Sequence, residues 1–113
     1  MRRFLLALTL VASPAAAVEP LTGDEIRDAV SGKTVAGGMQ ATGPYTEFYA
    51  ADGEIRGDGY TGSWTVESDA MCFDYGDGPD CWNVGMSEGE ILWIKDGAVL
   101  GTGRATDGNV NDF

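Results

Sequence analysis

The sequence contains no histidine, so it lacks the residue used most often as a general base, a zinc ligand and a catalytic-triad member. Basic residues are also scarce: seven Lys and Arg stand against eighteen Asp and Glu, and the formal net charge is −11. Phosphate backbones and anionic lipid headgroups repel a chain of this charge. We therefore expect no histidine-based active site and no nucleic-acid or membrane-surface partner.

Long apolar runs are missing after the first twelve residues, which predicts that the mature chain has no membrane span. The start of the chain has the three parts of a secretory signal peptide. They are the basic Met1-Arg2-Arg3, the apolar residues 4–12 and the small residues Ala15-Ala16-Ala17. We expect residues 1–17 to be cleaved and residues 18–113 to form one periplasmic or secreted domain. Without Arg2 and Arg3, its five basic and eighteen acidic residues give a net charge of −13.

Four stretches carry part of a catalytic or metal-binding motif without its setting. Residues 85–89 match the sequence pattern of a nucleophile elbow, but they have no histidine partner and no following helix. Residues 57–62 match a dinucleotide-binding fingerprint, and no helix follows them either. Two acidic clusters lack the full ligand set of a calcium site: Asp74 with Asp77 and Asp80, and residues 107–112. We interpret all four as turns and expect no metal and no cofactor.

Cysteine occurs only twice, and Cys72 and Cys81 lie on either side of a dense turn signal. A two-residue loop at Gly76-Asp77 pairs them across a β-hairpin, because glycine supplies the positive φ that a type II′ turn needs. The alternative loop, Asp77-Gly78, pairs Cys72 with Asn83 instead, whereas a longer four-residue loop would preserve the pairing of the two cysteines. We prefer the first register and predict a structural Cys72–Cys81 disulfide, since redox-active pairs usually lie two residues apart at a helix start.

The remaining pattern predicts one short helix followed by strands. Thr22 and Glu25 form a capping box for a helix over about residues 23–31, and Gly32 is suited to end it. Short turns link the later strands, which favours antiparallel neighbours. The strand candidates are 34–39, 45–50, 54–57, 62–67, 70–75, 80–86, 90–95 and 98–104. We predict a mainly β domain, a small antiparallel meander or barrel of seven to eight short strands with a short polar C-terminal tail.

The faces of the second and third strands depend on the loop between them. Placed as a two-residue loop, Asp52-Gly53 separates an apolar set of side chains from a polar set. The apolar set is Phe48, Ala50 and Ile55, and the polar set is Glu47, Tyr49, Glu54 and Arg56. A barrel of eight short strands is generally filled by its own side chains, so we expect little room for a ligand inside.

The last hairpin, with Asp96-Gly97 as its loop, is apolar on both faces. One face carries Leu92, Ile94 and Val99, and the other carries Ile91, Trp93 and Leu100. Because the short helix is too narrow to cover a whole face, we hypothesise that Ile91, Trp93 and Leu100 form an exposed strip that binds a partner. The alternative is that Trp93 is part of the core and that the opposite face is the covered outer one.

Several short motifs, each present once, are spread along the chain. They are Leu21-Thr22-Gly23-x-Glu25-Ile26, Gly62-x-Trp64, Cys72-Phe73-x-Tyr75, Cys81-Trp82 and Asp96-Gly97. In this set the chain resembles a group of small exported alphaproteobacterial β-domain proteins of unknown function. The resemblance implies a β-rich periplasmic domain and supplies no catalytic residues. In architecture the chain also resembles small periplasmic barrel inhibitors of lysozymes or secreted proteases, whose contact motifs it lacks.

These observations favour a non-catalytic periplasmic binding or inhibitory module with a protein partner. The alternatives are a small enzyme that uses carboxylates and a purely structural, envelope-associated protein. Two close carboxylates with raised pKa values in a pocket would favour the enzyme. An exposed apolar patch would favour the binding module.

Overall fold

The computed structural model describes residues 18–113, so the predicted signal peptide, residues 1–17, lies outside the described part of the chain. The described part begins with one helix and continues as strands. The elements are α1 Gly23–Val30, β1 Lys33–Met39, β2 Gly43–Tyr49, β3 Glu54–Gly57, β4 Tyr60–Glu67, β5 Ala70–Asp74, β6 Asp80–Ser87, β7 Glu90–Lys95 and β8 Ala98–Asp107. Every predicted element is present, and each end lies within three residues of its predicted position.

Helix α1 begins where its sequence predicts, because both halves of the capping box form. Thr22 Oγ1 accepts the backbone N–H of Glu25 at 3.3 Å, and Glu25 Oε1 accepts the backbone N–H of Thr22 at 3.0 Å. The first N–H of the helix donates to Asp69 in the turn between β4 and β5. Ile26 and Val30 are fully buried in the core of the domain. The helix therefore covers one end of the sheet, which we call the closed end.

Residues 18–113 contain eight strands that form a closed barrel. Each strand pairs antiparallel with the next in sequence, and β8 pairs with β1 to complete the ring. The prediction of a mainly β domain of seven to eight strands is confirmed, as a barrel and not an open meander. No helix in this part of the chain is long and apolar enough to cross a membrane.

Side chains alternate between the inside and the outside of the barrel, and the inner ones form a single core. Its buried strand residues are Val35, Tyr49, Ile55, Trp64, Met71, Phe73, Val84, Ile91 and Trp93. Tyr49 lies among three of the aromatic rings, and it meets Trp64, Phe73 and Trp93 edge to face with centroids 6.4, 6.1 and 6.5 Å away. Such contacts add to the stabilisation that comes from burial alone.

Glycine allows β1 and β8 to approach closely where the barrel closes. Gly37 of β1 lies opposite Gly103 of β8. A Cβ atom at position 37 would fall on the carbonyl oxygen of Thr102 and 2.6 Å from the Cα of Gly103. At the next position, Gly38, a Cβ atom would meet open space. The contact between the two strands thus depends on the missing side chain at position 37.

The β5–β6 hairpin has the predicted register. Cys72 lies opposite Cys81, and the two form a disulfide. Pairing stops at Phe73 and Asp80, so the connection is longer than the predicted loop at Gly76-Asp77. A covalent link that closes about ten residues stabilises a fold by about 2–3 kcal/mol in the chain-entropy model. The disulfide is compatible with an oxidising compartment.

The predicted loop between β2 and β3 at Asp52-Gly53 is wrong by one residue. Tyr49 pairs with Ile55, which requires a longer connection than two residues. A shift of one residue in a β-ladder turns every side chain of the strand to the opposite face. Glu47 and Tyr49 therefore point into the barrel, whereas Phe48 points outward and is half-buried.

Candidate functional site

A cavity of about 400 Å³ lies at the end of the barrel opposite α1, which we call the open end. Its lining includes the turn between β1 and β2, which an up-and-down barrel places away from the β4–β5 turn that holds the helix. All four tyrosines of the chain contribute to it. The lining residues are Met39, Ala41, Thr42, Tyr45, Glu47, Tyr49, Tyr60, Phe73, Tyr75, Asp80, Trp82 and Trp93. We call this space the mouth cavity; the expectation of little room for a ligand inside the barrel is wrong at this end.

Glu47 is the one buried acidic side chain of the described chain, with 6% of its surface exposed. It lies between Tyr45 and Tyr49 on the inner face of β2. Its carboxylate accepts hydrogen bonds from three phenol hydroxyls: Tyr49 at 2.8 Å, Tyr60 at 2.7 Å and Tyr75 at 3.0 Å to both oxygens. The donors belong to β2, to β4 and to the β5–β6 loop, so the fold brings this cluster together from separate parts of the sequence.

The Glu47 carboxylate has no cationic partner. Its two oxygens offer about four acceptor positions, and the phenols make two contacts with each oxygen. No Lys or Arg in residues 18–113 lies within ion-pair distance of it. Since buried charges in proteins are normally paired with an opposite charge, this leaves an uncompensated negative charge facing the mouth cavity.

A second hydrogen-bonded chain fixes the wall beside Glu47. The indole N–H of Trp93 donates to the Tyr45 hydroxyl at 2.7 Å, and that hydroxyl donates to the carbonyl of Thr102 at 2.9 Å. The chain joins β7, β2 and β8 across the interior of the barrel. These hydrogen bonds fix the positions of the Trp93 and Tyr45 rings.

Two glycines make room for the rings that contact Glu47. A Cβ atom at Gly57 would lie 2.6 Å from the hydroxyl oxygen of Tyr60 and closer still to its ring. A Cβ atom at Gly62 would lie 2.8 Å from the Cδ1 of Tyr75. The tyrosine positions thus depend on the absence of side chains on the neighbouring strands.

The second carboxylate of the lining, Asp80, is already paired. Lys95 donates to it, and the indole N–H of Trp82 donates to its Oδ2 at 3.0 Å. The bond from Lys95, followed by the bond from Trp82, lowers the pKa of the Asp80 carboxyl. Lys95 Nζ also lies 5.0 Å from the centroid of the Trp82 ring, a cation–π distance. Asp80 is thus neutralised locally, in contrast to Glu47.

The surroundings raise the pKa values of all four tyrosines. Burial raises the pKa of Tyr45 to about 12, and the nearby Glu47 charge adds to the effect. Burial, followed by the charge of Glu47, raises the pKa of Tyr49 and of Tyr75 well above the usual value. Burial and the hydrogen bond to Glu47 do the same for Tyr60. The phenols therefore remain neutral hydrogen-bond donors well above neutral pH.

We expect the tyrosines to resist ionisation in the native protein and stability to fall as pH rises above about 10. Their folded pKa values exceed the unfolded value of about 10, so the unfolded state loses protons first and becomes relatively more favourable. The loss continues as pH passes through the folded values, of which Tyr45 at about 12 is one. Phenolate absorbance, followed during titration of native and denatured protein, measures the difference. A native curve with its midpoint near 10 would contradict the raised pKa values of these tyrosines.

The structure does not place Ile91, Trp93 and Leu100 in an exposed strip. Ile91 is fully buried and Trp93 is 3% exposed, and both belong to the core. A register shift between Trp93 and Ile94 pairs Trp93 with Gly101, which leaves Leu100 out of the ladder. Trp93 nevertheless lines the mouth cavity, so a role in binding would come from its inner surface.

The opposite face of this hairpin is the outer one, and part of it is covered. Leu92 and Ile94 are buried although they alternate with the core residues of β7. Residues before α1 run across the neighbouring strand: the Leu21 N–H donates to the Val84 carbonyl at 2.7 Å. A Cβ atom at Gly85 would lie 2.6 Å from Val18 and 3.2 Å from Ile94. The segment that leads into the helix therefore packs over this face.

Glu47, Tyr60 and Tyr75 were not among the binding residues predicted from the sequence. Their shared feature is a long-range contact, which no local pattern records. One local pattern marks part of this site: Gly57 and Gly62 flank Tyr60 in the stretch that matches a dinucleotide-binding fingerprint. Gly57 accommodates the ring of Tyr60, and Gly62 accommodates the ring of Tyr75.

The described residues hold no cluster of three or more His, Cys, Asp or Glu that could bind a metal ion. Comparison with known protein families, with curated proteins and with solved structures gives no match to this chain.

Proposed function

We propose that the chain is a non-catalytic binding module of the periplasm or the cell exterior, and that its ligand binds in the mouth cavity. The observation that carries this proposal is the convergence of three tyrosine hydroxyls on one buried carboxylate inside an aromatic cavity. Small-molecule sites typically combine apolar walls with a few fixed polar groups in a volume of about 300–1,000 Å³. The mouth cavity matches this description at about 400 Å³.

The site is organised before any ligand binds, which supports a binding role. No buried side-chain nitrogen or oxygen in the described chain lacks a hydrogen-bond partner. The rings of Phe73 and Tyr75 stack with an interplanar angle of 11°, and Tyr60 meets Tyr75 edge to face. A rigid site loses little conformational entropy when a ligand binds, so more of the contact energy is available as affinity.

The lining offers little for catalysis by carboxylates. Such an enzyme needs two acids whose environments separate their pKa values. The lining contains two carboxylates, and Asp80 is held by Lys95 with a lowered pKa. The phenols, with raised pKa values, are poor general bases near neutral pH. This favours binding over the small-enzyme alternative.

Export of the chain is supported by the sequence of residues 1–17 and by the disulfide. Disulfides persist in oxidising compartments. The ligand is therefore to be sought among molecules of the periplasm or of the surroundings of the cell.

The proposal is tested by a screen of small molecules of mixed charge, with binding followed by the nuclear magnetic resonance of the Met39 methyl group. Met39 lines the mouth cavity, so its signal reports on ligands bound there. Ala41 lies exposed in the β1–β2 turn at the cavity rim, and Ala41→Trp should obstruct entry. We expect this variant to weaken the binding of hits by about tenfold or more, equal to about 1.4 kcal/mol.

The matched control is Ala51→Trp, which places the same side chain in an exposed turn at the closed end. It should leave affinities within about twofold of the original, or about 0.4 kcal/mol. Hits that bind both variants equally, or a screen in which no compound moves the Met39 signal, would contradict a ligand site in the mouth cavity.

A further inference from the structure

We infer that the ligand of the mouth cavity carries a primary ammonium group on an apolar body. The inference rests on the proposed function and names the chemical class of the ligand. It derives from the charge of Glu47, from the lone pairs of the phenol oxygens that contact it and from the aromatic walls of the cavity.

The charge of Glu47 is the first argument. The side chain is 94% buried, since 6% of its surface is exposed, and it has no Lys or Arg partner in residues 18–113. A cationic ligand would supply the missing opposite charge in surroundings where water screens it poorly. The excess of acidic over basic residues in the chain adds a field that draws cations towards the protein.

The hydrogen-bonding groups in the cavity suit an ammonium ion. An ammonium group has three donors on a compact head. The hydroxyl oxygens of Tyr60 and Tyr75 keep lone pairs after they donate to Glu47, so an ammonium group beside the carboxylate can donate to them. A guanidinium group fits less well, because its planar fork binds best to a carboxylate with both oxygens free. Here both oxygens are already shared with phenols.

The walls suit the rest of such a ligand. Phe73, Tyr75 and Trp82 present aromatic rings to the cavity, and rings attract a nearby cation as well as an apolar body. A hard metal ion is a poor match for the same space. Calcium takes about six to eight oxygen ligands, whereas Glu47 is the single unpaired carboxylate of the lining.

The test compares ligands of one shape and different charge on the unaltered protein, by calorimetric titration. The probes are phenethylamine, its neutral analogue phenethyl alcohol and the anionic phenylacetate. We expect phenethylamine to bind about 30-fold or more tightly than the alcohol, because loss of one member of a buried charge pair is costly. Phenylacetate should bind more weakly than either.

Glu47→Gln keeps the shape of the side chain and removes its charge. It should remove most of the preference for phenethylamine over the alcohol, while Glu67→Gln, an exposed position at the closed end, should leave it unchanged. Thermal melting shows whether each variant is folded. If Glu47→Gln does not fold, the ratio of the phenethylamine affinity to the alcohol affinity on the unaltered protein still tests whether the cavity prefers an ammonium group.

A blocked peptide with one lysine identifies the source of the ammonium group. Tighter binding of the peptide than of phenethylamine would support an ammonium site that receives a lysine of a partner protein. Tighter binding of phenethylamine would support a free small amine. Equal binding of the amine and the alcohol in the mouth cavity would overturn the inference and leave the proposed function standing, whereas binding of no probe or screened compound there would overturn both.

Discussion

Replacement of Trp93 by alanine is expected to lower the free energy of unfolding by about 3–5 kcal/mol. The side chain is 3% exposed, and its ring packs edge to face against Tyr49 and Phe73 with centroids 6.5 and 5.5 Å away. Truncation would create a cavity among these rings and leave the Tyr45 hydroxyl without the indole N–H that it accepts. Packing and hydrogen bonding are lost together, so the effect should lie in the upper part of this range.

Urea denaturation of the two proteins measures this difference. Val99→Ala is a suitable control, because Val99 lies on the adjacent strand and is 38% exposed. A change at such a site should stay within about 0.5 kcal/mol. A loss of less than about 1 kcal/mol for Trp93→Ala would restore the hypothesis that Trp93 lies on an exposed binding strip.

Substitution of Gly37 by alanine should destabilise the barrel by about 3 kcal/mol or more, at the upper end of the range for overpacking. The added Cβ atom would meet the backbone of Thr102 and Gly103, and backbone atoms cannot rotate away as a flexible side chain can. The clash falls on the ladder that closes the barrel. Strands β1 and β8 would have to separate, with loss of hydrogen bonds.

Gly38→Ala provides a control at the neighbouring position. A Cβ atom there meets nothing within 4 Å, and the residue is not among those with positive φ. Alanine should therefore be tolerated, and it could stabilise the fold by about 0.4–1 kcal/mol because it restricts the unfolded chain. Similar melting temperatures for the two variants would show that β1 and β8 are not in close contact at position 37.

Most of the fold could be predicted because its signals are local. The capping box at Thr22 and Glu25 specifies the start of α1 through contacts three residues apart. The Gly-containing turns divide the rest of the chain into strands, and short turns make neighbours antiparallel. The pairing of Cys72 with Cys81 follows from one turn whose possible registers can be enumerated.

The predicted side-chain faces are wrong where a shift of one residue in strand pairing moves side chains to the opposite face. The sequence predicts a two-residue turn between β2 and β3, whereas the observed pairing of Tyr49 with Ile55 reverses both faces of β2. In the last hairpin, the irregularity beside Trp93 excludes Leu100 from the predicted strip. Bulges and longer loops are decided by packing against distant strands, which a local pattern does not contain.

The sequence does not reveal the candidate site because Tyr45, Glu47 and Tyr49 lie on β2, the strand whose inner and outer faces are predicted the wrong way round. With Glu47 on the outside, the acidic residue is one more charge on an acidic surface. With Glu47 inside, it is a buried carboxylate that needs partners, and Tyr60 and Tyr75 supply them from 13 and 28 residues away. Composition alone could not reveal that all four tyrosines meet at one place.

The Cys72–Cys81 disulfide also bears on the proposed binding of a ligand in the mouth cavity. Tyr75, which donates to Glu47, stands at the start of the loop that this link restrains, and Trp82 follows Cys81 directly. Thiols in the cytosol are kept reduced, so if the chain is exported, as we propose, this restraint forms only after it has left the cytosol. The proposed capacity to bind would then depend on the oxidation of these two cysteines as well as on the pairing of the strands.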